Sequence, residues 1–286
     1  MEFSRLFLDS IKRFYPFWRD AKHTPLHTAV IKGDVKQVEQ LVLERGCLYK
    51  KNAWGMTPGD LVRLLNRKTL FPFLLDFQKE RSILIYRNRE QMIKKISLEE
   101  FEQKLGIVYL DELEFESIDI LKTVVNKCSK RLEKKKFKRM NRWTLALYRD
   151  AMHQTQRHSI YVRFIDPFLG YGVFAAHDLP ALTYVGEYTG VVKRRHIRKQ
   201  RVNNYIFGYV TGPKQTPFVI DAQDKGNFVR FINHSDEPNL TSRWVIEGGV
   251  THIILFANQP IKKDKQLTYD YGKYYWRSRS CPLLLK

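Results

Sequence analysis

Cysteine, acidic side chains and long apolar runs are what this chain lacks. It has three cysteines in 286 residues, Cys47, Cys128 and Cys281. An odd number so widely spaced makes no disulfide framework, and no two stand at metal-ligand spacing. The chain therefore reads as one that folds in a reducing compartment. No stretch approaches the roughly 20 apolar residues that cross a bilayer, so no membrane partner is expected. Met1–Lys22 mixes aromatics with Arg, Lys and Asp and lacks the apolar core of a signal peptide. Acidic residues number 30 against 50 basic ones, for a formal net charge of +20. Such an excess points to a polyanionic or acidic neighbourhood. A G-x-G-x-x-G fingerprint is also missing, which disfavours a doubly wound dinucleotide-type fold.

What is present is globular. The chain is 43% hydrophobic and 28% charged, and its length suggests two or three compact units. After an N-terminal segment (1–20), residues 21–78 carry a repeat. His23-Thr24-Pro25-Leu26-His27-Thr28-Ala29 returns, degraded, as Gly55-Met56-Thr57-Pro58-Gly59-Asp60-Leu61. Thr24 and Thr57 lie 33 positions apart, which is the ankyrin period, and the first copy resembles the family's T-P-L-H-x-A pattern. A Thr-Pro step suits a helix start, because Pro is tolerated where no amide donor is needed. Val35, Val38, Leu41 and Val42 share one face of a further helix, with Gly46 expected at its C-terminal end.

Residues 79–158 read as a charged, helical connector. Ser97-Leu98-Glu99-Glu100 has the form of a capping box, and Ile120, Leu121, Val124 and Val125 recur at helical spacing. A basic run follows: Lys130, Arg131, Lys134, Lys135, Lys136, Lys138 and Arg139, opposed only by Glu133. It fits a solvated helix face, a nuclear-import-like patch, or a docking surface for nucleic acid or an acidic protein.

From Ser159 the texture changes to short β-branched and aromatic runs split by Gly and Pro. Strands are predicted at 160–165, 172–176, 183–191, 203–210, 217–220, 240–247 and 250–258, the last two joined by a Gly248-Gly249 hairpin. Four segments of this β-rich module draw attention. Gly170-Tyr171-Gly172 lets backbone amides approach a ligand closely. Asn204-Tyr205-Ile206-Phe207 is by itself only a strand. Arg230-Phe231-Ile232-Asn233-His234-Ser235, with Pro238-Asn239, packs polar groups that need partners beside apolar ones. Gln266-Leu267-Thr268-Tyr269-Asp270-Tyr271-Gly272 places two tyrosines on one face of an extended chain.

Together, in this order and spacing, these segments resemble the SET domain of protein-lysine methyltransferases across about Tyr161 to Gly272. The resemblance implies an α+β, multidomain chain: ankyrin-like helical repeats, a helical connector, and a β-rich SET fold (159–272) with a knot-like crossing. It implies S-adenosylmethionine as cofactor and a protein lysine as acceptor. Gly170, Tyr171 and Gly172 would line the methionine part of the cofactor, and Asn233 and His234 the adenosine. Arg230 would lie near it, or pair structurally with Asp221 or Asp224. Tyr205 would border both cofactor and lysine, Tyr271 would stand at the point of transfer, and Tyr269 would influence the number of methyl groups or simply pack the strand. His252 reads as structural. Transfer to an amine needs alignment more than acid or base strength, so His234 is not expected to act as a base.

The chain departs from many SET enzymes at their zinc-binding cysteines. Asp236 and Leu240 stand at two such positions, and the 273–286 tail holds Tyr274, Tyr275 and Trp276 but only Cys281. No zinc is expected, and Trp276 becomes a candidate for closing the cofactor pocket. The expected substrate is a histone tail or another basic protein, with nucleosomal DNA touched by the basic 122–142 region. The alternative is a catalytically inactive SET/ankyrin scaffold. The combination is similar to SET proteins of intracellular bacteria that act on host chromatin, which implies an effector secreted into the host nucleus. Otherwise the expected location is nucleus or cytoplasm.

Overall fold

Thr24 and Thr57 open two helices in the same way. In the computed structural model, which describes residues 23–44, 48–75, 81–154, 157–196, 203–212 and 215–276, each threonine is an extended N-cap whose hydroxyl accepts from the backbone three residues on. The box closes from the other side: Thr24 N–H donates to His27 Nδ1 at 3.2 Å, and Thr57 N–H to Asp60 Oδ2 at 2.7 Å. Helix α1 (Pro25–Lys32) ends at Gly33, whose φ of 74° is the left-handed conformation that Gly adopts freely. Helix α2 (Val35–Leu43) buries Val38, while Val35, Leu41 and Val42 are half-buried on the same side. Its expected end at Gly46 lies outside the described residues. Helix α3 (Pro58–Leu64) runs on through a 3-10 turn into the short α4 (Phe71–Leu74). Buried His27 joins the two copies, its Nε2 lying 2.9 Å from the Met56 carbonyl; burial lowers its pKa and keeps it neutral.

The chain divides into two compact units between Phe77 and Gln78. The second corrects the expectation of a helical connector: two strands, β1 (Ser82–Arg87) and β2 (Met92–Ser97), form a hairpin near its start. β1 also pairs in parallel with β5 (Ile160–Asp166), so this segment is built into the same sheet as the β-rich module. The charges misled the periodicity argument, because Lys94 and Lys95 lie on a hairpin strand and not on a helix. The capping box at 97–100 forms only half. Ser97 Oγ accepts from Glu100 N–H at 3.1 Å, but the Glu100 carboxylate goes to Arg87 at 2.9 Å. Helix α5 (Leu98–Leu105) follows. Two-residue strands β3 (Val108–Tyr109) and β4 (Glu114–Phe115) then give helices α6 (Ile118–Leu132) and α7 (Lys135–His153). On α6 the buried side is Ile120, Leu121, Val124, Val125 and Cys128.

The β-rich part comprises small sheets. β5 pairs with β6 (Gly170–Ala175). The predicted run 183–191 splits into β7 (Tyr184–Glu187) and β8 (Val191–Arg194) at the Thr189-Gly190 turn. β8 lies between β4 and β10 (Gln215–Asp221), with β9 (Ile206–Val210) beyond β10. β3 pairs with β11 (Lys225–Gly226). The long hairpin is β13 (Leu240–Glu247) with β14 (Val250–Ala257), and β14 also pairs with β7. Helix α7 covers this three-stranded sheet: Tyr148 stacks on Phe256 at 5.1 Å, in a core with Tyr184, Val245 and Ile254. Buried Asn141 answers both backbone groups of Ile246, donating at 2.9 Å and accepting at 2.7 Å.

Candidate active site

Two short strands make the centre of the site. β12 (Asn233–His234) pairs in parallel with β15 (Thr268–Tyr269), Asn233 opposite Thr268 and His234 opposite Tyr269. A 3-10 turn at Phe228–Phe231, capped by the Asn227 side chain, delivers β12. Asn239 fastens the pair from one end, donating to Gln266 O and accepting from Thr268 N–H at 2.8 and 2.9 Å. His234 fastens it from the other: its Nδ1 accepts from Tyr271 N–H at 3.2 Å, which leaves the proton on Nε2, 3.2 Å from Asp236 Oδ1.

The G-x-G segment lies alongside. Asn233 Nδ2 donates to the Tyr171 carbonyl at 3.2 Å. Gly170 has φ of 70°, and a Cβ on Gly172 would come within 2.7 Å of Ile165 and 3.0 Å of Gln266 Nε2. Both glycines are therefore dictated by the protein's own geometry, one by its dihedral and the other by crowding.

The aromatic residues converge. The Tyr271 ring sits 4.8 Å from Tyr269, 4.6 Å from Tyr275 and 5.3 Å from His234, and is stacked nearly parallel to Trp276 at 6.0 Å. Phe207 stacks on Tyr269 at 6.3 Å and meets Tyr188 at 5.1 Å. Burial pushes the phenols of Tyr269, Tyr271 and Tyr188 well above their ordinary pKa, so all three stay neutral. Tyr271 Oη donates to Ile232 O at 2.9 Å, which orients its lone pairs.

Tyr205 stands beside this group, in the turn before β9. Its N–H donates to Asn203 Oδ1 at 2.8 Å and its carbonyl accepts from Ala222 N–H at 2.9 Å. The Arg230 guanidinium covers its ring, and Nη2 donates to Gln223 O at 3.0 Å. Arg230 thus contacts Tyr205 and not Asp221 or Asp224. The Asp221 carboxylate is held by Lys193, Asn203 and Gln223 N–H. Burial raises the Asp221 pKa less than these partners lower it, and the net shift is downward. His252 is indeed interior, against Glu187 at 2.9 Å.

Sequence reasoning passed over Gln266, Tyr188 and Phe207. Gln266 Nε2 and Trp276 Nε1 are buried donors with no acceptor among the described residues, the kind of group a polar ligand would satisfy. Tyr188 fell in the predicted strand 183–191 and Phe207 in Asn204-Tyr205-Ile206-Phe207, and both looked like ordinary strand residues. Among the described residues no group of three or more His, Cys, Asp or Glu is arranged to hold a metal ion, and Cys47 and Cys281 lie outside those residues.

Residues 170–272 match the SET domain family. The human histone-lysine N-methyltransferase SETD2 is 39% identical to this chain over 108 residues, which are 36% of this chain and 4% of that protein. ATX2 of Arabidopsis thaliana, also a histone-lysine N-methyltransferase, is 39% identical over 108 residues, 36% of this chain and 10% of that protein. The crystal structure of KRYPTONITE with mCHG DNA and SAH is 37% identical, with a TM-score of 0.36, and covers 42% of this chain and 25% of that one. The chain thus spans 4 to 10% of the length of these curated relatives. Every aromatic and polar group of the site described above, from Gly170 to Tyr271, falls within the segment that matches the SET domain family; Tyr275 and Trp276 flank it.

Proposed function

We propose that this protein transfers methyl groups from S-adenosylmethionine to the side-chain amine of lysine in a protein substrate, a histone or another basic protein. The observation that carries the reading is the parallel pairing of Asn233–His234 with Thr268–Tyr269 inside a segment matching the SET domain, because it puts Tyr271, Tyr269, His234 and Trp276 around one point. The same pairing supports the family's knot-like crossing.

The residues fit the cofactor. Gly170, Tyr171, Gly172, Asn233 and His234 would hold it, with the orphan donors Gln266 Nε2 and Trp276 Nε1 available to its polar groups. When bound, it supplies an electrophilic methyl group on a sulfonium. The protein's own part is alignment. Tyr205, Tyr269 and Tyr271 form aromatic walls that exclude water and tolerate a methylated ammonium by its CH groups. A lysine there loses favour as ammonium through desolvation, so its pKa falls and the amine lone pair becomes available. The neutral Tyr271 phenol, fixed by its bond to Ile232 O, accepts a hydrogen bond from that amine and aims it. His234 serves as scaffold, since its Nδ1 is already engaged with Tyr271 N–H.

We further read 21–78 as ankyrin-like, on the two capping boxes 33 residues apart and the His27–Met56 link, and 273–276 as cover for the cofactor in place of a zinc cluster. Exposed Lys127, Lys130 and Lys134 at the end of α6 support contact with a polyanion, for which we propose nucleosomal DNA. A host-directed effector in the nucleus remains our reading of where it acts.

The test is transfer of labelled methyl from S-adenosylmethionine to histone octamers, nucleosomes and a cell lysate, with Tyr271→Phe as control. Label on a histone in wild type alone supports the reading. Absence of label together with absence of cofactor-induced thermal stabilisation overturns it in favour of an inactive scaffold.

A further inference from the structure

Helix α7 is anchored on one side and bare on the other. Its inner residues Phe137, Asn141, Thr144 and Tyr148 are buried. Phe137 stacks on Trp244 at 4.8 Å, Asn141 is tied to Ile246 by two hydrogen bonds, and Tyr148 joins the core under β13 and β14. The outer side carries Met140, Trp143 and Leu147, which are 46%, 69% and 60% exposed. Their spacing of three and four residues aligns them in one narrow stripe along the helix. Three large apolar groups left in water on a rigid support mark an interaction surface, because scattered single exposures would not line up.

The charges around the stripe are mostly basic. From Lys134 to Asp150 the sequence contains Lys134, Lys135, Lys136, Lys138, Arg139, Arg142 and Arg149 against one acidic residue, the exposed Asp150 beyond the C-terminal end of the stripe. Arg149 is engaged by Glu247 at 2.7 Å. Lys136, Arg139 and Arg142 are exposed and flank Met140 and Trp143.

We propose that the outer face of α7 docks an acidic amphipathic helix of a partner protein. The a/d-like spacing of Met140, Trp143 and Leu147 matches the seam of a second helix, and the basic flank matches acidic residues at that helix's edge positions. Duplex nucleic acid fits less well, since phosphates offer Met140 and Leu147 nothing to bury against. A lipid surface fits less well too, since a helix lying in a membrane needs a broad apolar face, and the rest of α7 is committed to the protein core. The helix is already folded and held, so binding costs little ordering on this side of the interface.

The experiment uses the full chain and a fluorescent three-heptad peptide with Leu at a and d and Glu at e and g, followed by anisotropy. A peptide of the same composition in scrambled order, a labelled DNA duplex and vesicles of phosphatidylserine and phosphatidylcholine serve as competing probes. The ordered acidic peptide binds wild type. Met140→Ser/Trp143→Ser/Leu147→Ser weakens it by about tenfold or more, as does Arg139→Glu/Arg142→Glu. Both variants keep wild-type melting temperature and cofactor binding, because the changed side chains lie outside the core and the site. Equal binding of ordered and scrambled peptides overturns the proposal. So does undiminished peptide binding by the Ser variant, or binding to DNA or vesicles that falls in that variant while the acidic peptide fails to bind.

Discussion

The Arg230 guanidinium lies 3.5 Å from the centre of the Tyr205 ring. The same arginine donates to Gln223 O, Gln223 N–H donates to Asp221 Oδ1, and Asp221 Oδ1 accepts from the Asn203 amide that holds Tyr205 N–H. Ring and backbone of Tyr205 are therefore fixed through one connected set of hydrogen-bonded groups. A desolvated cation–π contact contributes about 2 kcal/mol. Arg230→Lys keeps the charge but loses the planar stack, so kcat/KM for the protein substrate is expected to fall about thirtyfold, with cofactor affinity held within about twofold. Calorimetry showing a large loss of cofactor affinity would return Arg230 to a direct cofactor contact.

Tyr271→Phe removes the hydroxyl bonded to Ile232 O and leaves the ring packed against Tyr269 and Tyr275. If that oxygen aims the lysine amine, kcat drops about a hundredfold, as for loss of one preorganised polar group, while the cofactor still binds. Single-turnover rates at saturating cofactor measure this. A variant with wild-type kcat removes the phenol from the mechanism.

Tyr269 is buried and its ring packs against Tyr271 and Phe207; on the proposed function its hydroxyl would take room, or hold a water, where a further methyl group would go. The wild type is expected to stop at one or two methyl groups, and Tyr269→Phe to progress further. Mass spectrometry of the modified peptide decides, and an unchanged product distribution refutes the spatial argument.

Trp276 stacks near Tyr271, lies 4.8 Å from His234, and hides an indole N–H without an acceptor among the described residues. Trp276→Ala is expected to weaken cofactor binding about tenfold, since it removes both aromatic cover and a donor. If affinity and turnover both stay at wild-type values, the tail does not close the pocket.

The interior His252 is subject to two opposed effects. Burial is the largest single effect and lowers its pKa, but Glu187 and Glu247 together outweigh it and lift the value to about 9. A group raised on folding stabilises fully below its ordinary value of 6.5 and loses that contribution as pH rises through about 9. The melting temperature of wild type should fall between these values relative to that of His252→Gln, which has no ionisable group there. Parallel melting curves across that range would mean that the pair does not change charge.

The sequence by itself determined the capped helix starts at Thr24 and Thr57, the Gly248-Gly249 hairpin and the order of the motifs from Gly170 to Gly272. These depend on short-range rules: a hydroxyl three residues before an amide, two residues in a tight turn, a motif in fixed order. Tertiary structure decided what those rules do not reach. Ser82–Ser97 became a strand hairpin because β5, far along the chain, offers β1 an edge to pair with. Glu100 left its capping box because Arg87 of that hairpin lies within reach. Arg230 could not be assigned between cofactor and Asp221 until Lys193 and Asn203 had taken that carboxylate and the guanidinium settled over Tyr205. Such choices depend on which partners the fold brings into contact, and a linear pattern encodes neighbours along the chain rather than neighbours in space.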